Sequence, residues 1–286
     1  MRTKLVLVFV IASMLLAGSC SRLDLLKTEP PVDPGSWLAA QPSFELTLGS
    51  LRFTIIQPSS SAIVYGLAAI TIWAGIRFLR LRDGKRSRGY WGAALLVWGI
   101  GTFLAGTSYQ AFGYEIKAAG RDVVLWTSAW EVAYMILTVA AVSLMTAGVA
   151  ASSARGLAAR LMRAWAILSA VAYTVFAVAG AVMPDRFMVS FEAMVLFAMP
   201  GMILCFVVNV VHWVRARKRH DLLLALAWLG MAVVMAAYFA AYLAGLGPAL
   251  WRRGIWFSEN DVLHVGLVAW MLYLALVVAP AMEDAA

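Results

Sequence analysis

Seven long apolar runs follow one another along this chain, at about 60–81, 90–112, 123–149, 161–183, 190–214, 222–246 and 262–280. Charged residues and short polar stretches punctuate them. A hydrocarbon layer of ~30 Å is crossed by ~20 residues of helix. In lipid, a run of this length satisfies its own backbone hydrogen bonds only as a helix. The pattern therefore predicts seven transmembrane helices. Their short connections make consecutive helices antiparallel neighbours.

Composition agrees. Of 286 residues, 63% are hydrophobic and only 13% are charged, which excludes a soluble globular domain and a disordered chain. Two cysteines exclude a disulfide scaffold. The predicted fold class is all-α: a polytopic membrane protein with a seven-helix bundle after a cleavable signal peptide. The expected division is a signal peptide over 1–19, an extracytoplasmic segment over 20–59, and a transmembrane domain over 60–286.

The net charge of +8 belongs to the connections between spans. Arg77, Arg80, Arg82, Lys85, Arg86 and Arg88 flank the first connection. Arg155, Arg160 and Arg163 flank the third, and Arg215, Arg217, Lys218 and Arg219 the fifth. The opposite connections hold only Lys117, Arg121, Arg186, Arg252 and Arg253. The positive-inside rule puts the richer set in the cytoplasm, the mature amino terminus outside and the carboxyl tail inside. The basic residues are thus read as orienting the chain and contacting anionic lipid. They do not form a nucleic-acid surface, and no nucleic-acid partner is expected.

The amino terminus carries the export signal that this orientation requires. Arg2 and Lys4 precede a short apolar run over 5–16, and small residues follow. Leu16-Ala17-Gly18-Ser19-Cys20 resembles a bacterial lipobox, in which Cys20 would become the lipidated first residue. A larger aliphatic residue is usual where Ala17 stands. The expected location is a bacterial inner (plasma) membrane. Residues 21–58 contain Pro30, Pro31, Pro34 and Pro42 and are read as mostly irregular. Phe44–Leu48 and Leu51–Ile56 are read there as short strands or an interfacial segment.

Gly92, Gly99, Gly106 and Gly113 recur every seven residues along the second span and form one seam. The seam suits close helix packing or, alternatively, a groove for a lipid or ligand.

Ionisable groups are costly in a bilayer and mark the places to look for chemistry. The second span ends in Thr107, Ser108, Tyr109 and Gln110. Glu131 stands about eight residues into the third apolar run, ~12 Å deep at 1.5 Å per residue, with Thr127, Tyr134 and Thr138 on its face. The seventh run opens with Ser258-Glu259-Asn260-Asp261 and then His264. Helix capping accounts for the serine and the acids. Glu192 is read as interfacial, as are Asn209 and His212, and His220 is read as a loop residue. Glu131, Asp261 and His264 have the types of a metal set, with zinc as the metal and an incomplete ligand count. Ser108, His264 and Asp261 have the types of a nucleophilic site.

With seven spans and polar groups on the second, third and seventh, the chain resembles the superfamily of alkaline ceramidases and adiponectin and progestin receptors. Asn260-Asp261-Val262-Leu263-His264 is similar to the start of that superfamily's last-helix histidine motif, and Ser108 stands where a helix-two serine is expected. Val268 occupies the place of the second histidine, and the helix-two histidine is missing. The resemblance implies a lipid amide or ester hydrolase ancestry in which this member has lost zinc. The expected function is an outward-facing polar pocket between helices two, three and seven that binds a lipid or small amphiphile. If it hydrolyses, His264 or Glu131 acts as general base and Ser108 or Tyr109 polarises the carbonyl, with Asp261 beside them. A non-enzymatic receptor or complex subunit is the alternative, and a transporter the next. Membrane lipids are the expected partners.

Overall fold

A computed structural model describes residues 22–285, so the export signal and Cys20 lie outside the described residues. It is a helical bundle with seven helices long and apolar enough to cross a membrane: α1 (Pro58–Arg80), α2 (Arg86–Ala111), α3 (Ala129–Ser153), α4 (Gly156–Val182), α5 (Phe191–Ala216), α6 (Arg219–Leu243) and α7 (Glu259–Ala281). Helices α1, α2, α3, α5, α6 and α7 pack in sequence, and α7 returns to α1, closing a ring. Helix α4 lies outside the ring against α3 and, more lightly, α5.

Burial follows this arrangement. In the most apolar stretch of α3, 78% of residues are buried, against 28% in α5 and in α6. The outer faces carry exposed Trp73, Ile100, Phe103, Leu168, Val175 and Leu226. Water would not tolerate so continuous an apolar surface on a monomer.

Local chemistry sets the helix ends. Ser128 caps α3, accepting from the Glu131 N–H, and Ser190 caps α5, accepting from the Ala193 N–H. Ser258 and Asp261 form a capping box at α7. The start of α2 has no cap of its own. The carboxyl tail supplies one: Asp284 accepts from the N–H of Arg86 and Ser87 at 2.8 and 2.9 Å and from Ser87 Oγ at 2.6 Å. Arg88 pins the same tail by donating to the carbonyls of Pro280 and Met282 at 2.9 and 3.0 Å.

Two helices contain a π turn. In α7 it spans Leu274–Val278, where the Ala279 N–H reaches Leu274 O, five residues back. The next carbonyl in that register, Ala275 O, would need the N–H of Pro280, which has none. Arg77 Nε donates to it at 2.7 Å instead. The other π turn, Gly106–Ala111, ends α2.

The glycine seam is a packing device. A Cβ on Gly99 would lie 2.6 Å from Ile72, and one on Gly75 of α1 would lie 2.9 Å from the Gly92 carbonyl. Gly106 meets Val64 in the same way, so α1 fills the seam at Gly92, Gly99 and Gly106, whereas Gly113 lies beyond α2 and meets Ile56 of the second strand instead. Toward the end of the bundle that carries the basic connections, Phe78, Trp91, Trp228, Trp270 and Trp98 pack ring against ring, with neighbouring centroids 5.6–6.5 Å apart.

The third helix starts later than its hydrophobic run predicts. Residues 118–128 are not helical, although Val123, Val124, Leu125 and Trp126 open that apolar run. Val124 and Trp126 hydrogen-bond to the backbone of residues 26–32, and Lys27 and Leu125 form a β-bridge. Here apolarity reports burial under an amino-terminal strap: Leu23 and Leu26 are buried in the core between α3 and α4. Arg121 pairs with Asp24 at 3.1 Å, and Arg186 pairs with Glu29. Ahead of α1, β1 (Ser43–Leu48) and β2 (Leu51–Ile56) form an antiparallel hairpin, so the two segments read as strands or an interfacial stretch are strands.

Candidate functional site

The ring of six helices borders a cavity of about 510 Å3, with exposed residues of α5 and α6, among them Ile203 and Leu229, at its open side. Its walls are almost wholly apolar and include Met194, Met199, Met202, Met231 and Met235. Polar groups reach it from three elements: Thr102 from α2, Tyr134 and Thr138 from α3, and His264 from α7. Both threonine hydroxyls already donate to their own helices, to Trp98 O and Tyr134 O at 3.0 Å. His264 differs, because its Nδ1 is buried and has no partner. A buried unsatisfied ring nitrogen costs about 1–3 kcal/mol relative to a paired one.

Glu131 lies elsewhere. It is the third residue of α3, not eight residues into a helix, so the expected ~12 Å depth is corrected. Its Oε1 accepts from Lys117 Nζ at 2.8 Å and from Ser108 Oγ at 2.9 Å, and its Oε2 accepts from Thr127 Oγ1 at 3.1 Å. The hydroxyls of Ser108 and Ser128 are 2.7 Å apart. The carboxylate is 1% exposed and the lysine 9%, so this is a desolvated ion pair. The π turn carries Ser108 and Tyr109 to it. Lys117 Nζ sits over the Tyr109 ring, 5.2 Å from its centroid, and Tyr109 meets Tyr134 edge to face at 6.1 Å. Two tyrosine rings thus stand between the ion pair and the cavity.

Asp261 serves its own helix end. Its Oδ2 accepts from the Ser258 N–H at 2.7 Å and from Ser258 Oγ at 3.3 Å.

A third buried carboxylate occupies the opposite end of the bundle. Asp221, the third residue of α6, is fully buried. Its Oδ1 accepts from Ser153 Oγ at 2.5 Å and from Asn209 Nδ2 at 3.4 Å. Its Oδ2 accepts from His212 Nδ1 at 2.5 Å and lies 3.6 Å from His220 Nε2. Asn209 Oδ1 accepts from Trp228 Nε1 at 3.2 Å, which ties this network to the aromatic core. It joins the end of α3, the end of α5 and the start of α6.

Of the five residues singled out from sequence, the fold brings Ser108, Tyr109 and Glu131 together, with Lys117 as an unforeseen fourth. It leaves Asp261 at a helix cap and His264 in the cavity. Ser108 bonds to Glu131 and Ser128, so the set of Ser108, His264 and Asp261 does not form a hydrogen-bonded relay. The metal set of Glu131, Asp261 and His264 is likewise corrected: among the described residues no three His, Cys, Asp or Glu side chains group to hold a metal. Each of the two carboxylates is drawn to donors near its own helix start. Lys117, counted in the sequence as an orienting charge, is buried. Asn209, His212 and His220, read as interfacial or loop residues, converge on an aspartate that the sequence reading passed over. The available signal was the three-residue spacing of Asn209 and His212, which puts both on one face of a helix.

Residues 62–283 match DUF6962, a family of unknown function, and the chain belongs to that family. No curated protein and no solved structure matches it.

Proposed function

We propose that this chain is a multi-pass membrane protein that binds a lipid or small amphiphile in the cavity bordered by its ring of six helices, with the ligand's polar group at His264. The observation that carries the reading is the unpartnered imidazole on the wall of an otherwise apolar cavity. A cavity of about 510 Å3 is of the size that takes a small amphiphile. Its five methionines are unbranched and adapt to irregular apolar shapes. The ligand class is then a long apolar body with one hydrogen-bonding head, such as a fatty acid or a prenyl alcohol. Binding is favoured over hydrolysis because Ser108, Glu131 and Asp261 are absent from the cavity wall and are already bonded elsewhere. The proposed setting is a bacterial inner membrane, with the strap and hairpin outside and the arginine-rich connections in the cytoplasm.

The test uses the full chain in detergent and brominated oleic acid, since Trp98 and Trp228 line the cavity and bromine quenches indole fluorescence. Saturable quenching is expected. In His264→Ala the affinity should fall about ten-fold, roughly the value of one hydrogen bond to a charged or strongly polar head, with little change in thermal stability. Equal affinity in wild type and His264→Ala, or equal affinity after Ala198→Trp narrows the cavity, would overturn the proposal.

A further inference from the structure

A second, separate groove opens on the outside of the bundle, between the end of α3, the start of α4 and the end of α5. Its volume is about 960 Å3. Leu161, Leu168, Leu204, Val207 and Val211 form its apolar floor and walls. Arg155, Arg215 and His212 stand at one end. Both arginines are exposed, and among the described residues neither makes an ion pair.

The dimensions fit one leaflet. Arg155 is the N-cap of α4, and Leu168 lies thirteen residues further on, about 20 Å along the helix at 1.5 Å per residue. Arg215 is in the last turn of α5, and Leu204 lies eleven residues before it, about 16 Å. Half of a ~30 Å hydrocarbon core is about 15 Å. An acyl chain laid along the groove would thus run from the two arginines to the bilayer centre.

His212 stands beside the two arginines, its ring fixed by the hydrogen bond between Nδ1 and the buried Asp221 carboxylate. Two guanidinium groups over an apolar trough match an anionic headgroup with an acyl chain below it. We infer that this groove is a binding site for an acidic phospholipid, its phosphate held by Arg155 and Arg215 with His212 beside them and one acyl chain lying on Leu168 and Leu204.

Native mass spectrometry of the full chain, titrated with phosphatidylglycerol and with phosphatidylcholine of the same acyl chains, tests the site. Preferential retention of phosphatidylglycerol is expected. Arg155→Gln and Arg215→Gln should each weaken it about five-fold, as expected of one basic residue near the surface. Arg252→Gln and Arg253→Gln, at the opposite end of the bundle, should leave it unchanged. Leu204→Trp, which fills the trough without altering charge, should also weaken it. Equal retention of both lipids by the wild-type chain overturns the inference whether or not the variants fold. So does displacement of phosphatidylglycerol by millimolar inorganic phosphate, which would mean a site for a soluble anion.

Discussion

Glu131 and Asp221 occupy the same position in two helices at opposite ends of the bundle. Each is the third residue of its helix, each is buried, and each gains from the positive end of the helix dipole. Their partners differ in kind. Glu131 faces Lys117, a full cation brought in from the segment after α2, supported by three hydroxyl-bearing residues. Asp221 faces a serine, an amide and two imidazoles. The two buried carboxylates thus rest on different solutions: one on a countercharge, the other on several hydrogen-bond donors. The first is brittle, because removing either ion strands the other in a medium that solvates it poorly. The second degrades by steps, because each donor carries a share.

The largest expected effect breaks the Glu131 end. Glu131→Gln leaves Lys117 charged and buried, and should destabilise the chain by about 3–5 kcal/mol. Adding Lys117→Met should recover part of that loss, because no uncompensated charge then remains. The measurement is denaturant unfolding of the single and double variants in one detergent. A double variant no better than the single would show that the pair is not coupled.

Asp221→Asn should cost less, about 1.5–3 kcal/mol, because the amide keeps the shape and loses only the charge-assisted part of its bonds. The same unfolding assay checks it. A loss as large as that of Glu131→Gln would place the two carboxylates in one energetic class and remove the contrast.

The smallest effect concerns Asp284 in the carboxyl tail. Burial raises its carboxyl, but hydrogen bonds from Ser87 and Arg86 outweigh that and hold it below the ordinary value. A folded pKa below the unfolded one gives stability that is complete above about pH 4 and is lost as pH falls through the folded value. Asp284→Asn should therefore cost under about 1 kcal/mol at neutral pH, with solvent screening, and nothing at a pH below the folded value. Unfolding midpoints of both chains between pH 3 and 7 should converge on the acid side. Divergence there would reverse the sign.

Much of this was legible in residue order, and the misses have physical causes. The seven helices were legible because ~20 apolar residues in lipid have one way to satisfy their backbone. The late start of α3 was not, because Val123, Val124, Leu125 and Trp126 are as apolar under a protein strap as they would be in a membrane. Ser128 three residues before Glu131 is the spacing of a capping box, and it marked the true start. Lys117 looked like a solvated charge because nothing local reveals that a π turn and an extended segment fold it against Glu131.

By itself the sequence determined the helix count, the distribution of basic residues between the two ends and a glycine seam on α2 suited to close packing. Each follows from local pattern: run length, charge placement and seven-residue glycine spacing. The tertiary structure alone decided which polar groups meet. Glu131 and Lys117 are fourteen residues apart in the chain, and Ser153 and Asp221 sixty-eight. Tertiary folding of helices and connections sets those meetings, as it sets the placement of His264 on an apolar cavity wall. No periodicity along a single helix encodes where its neighbours will stand.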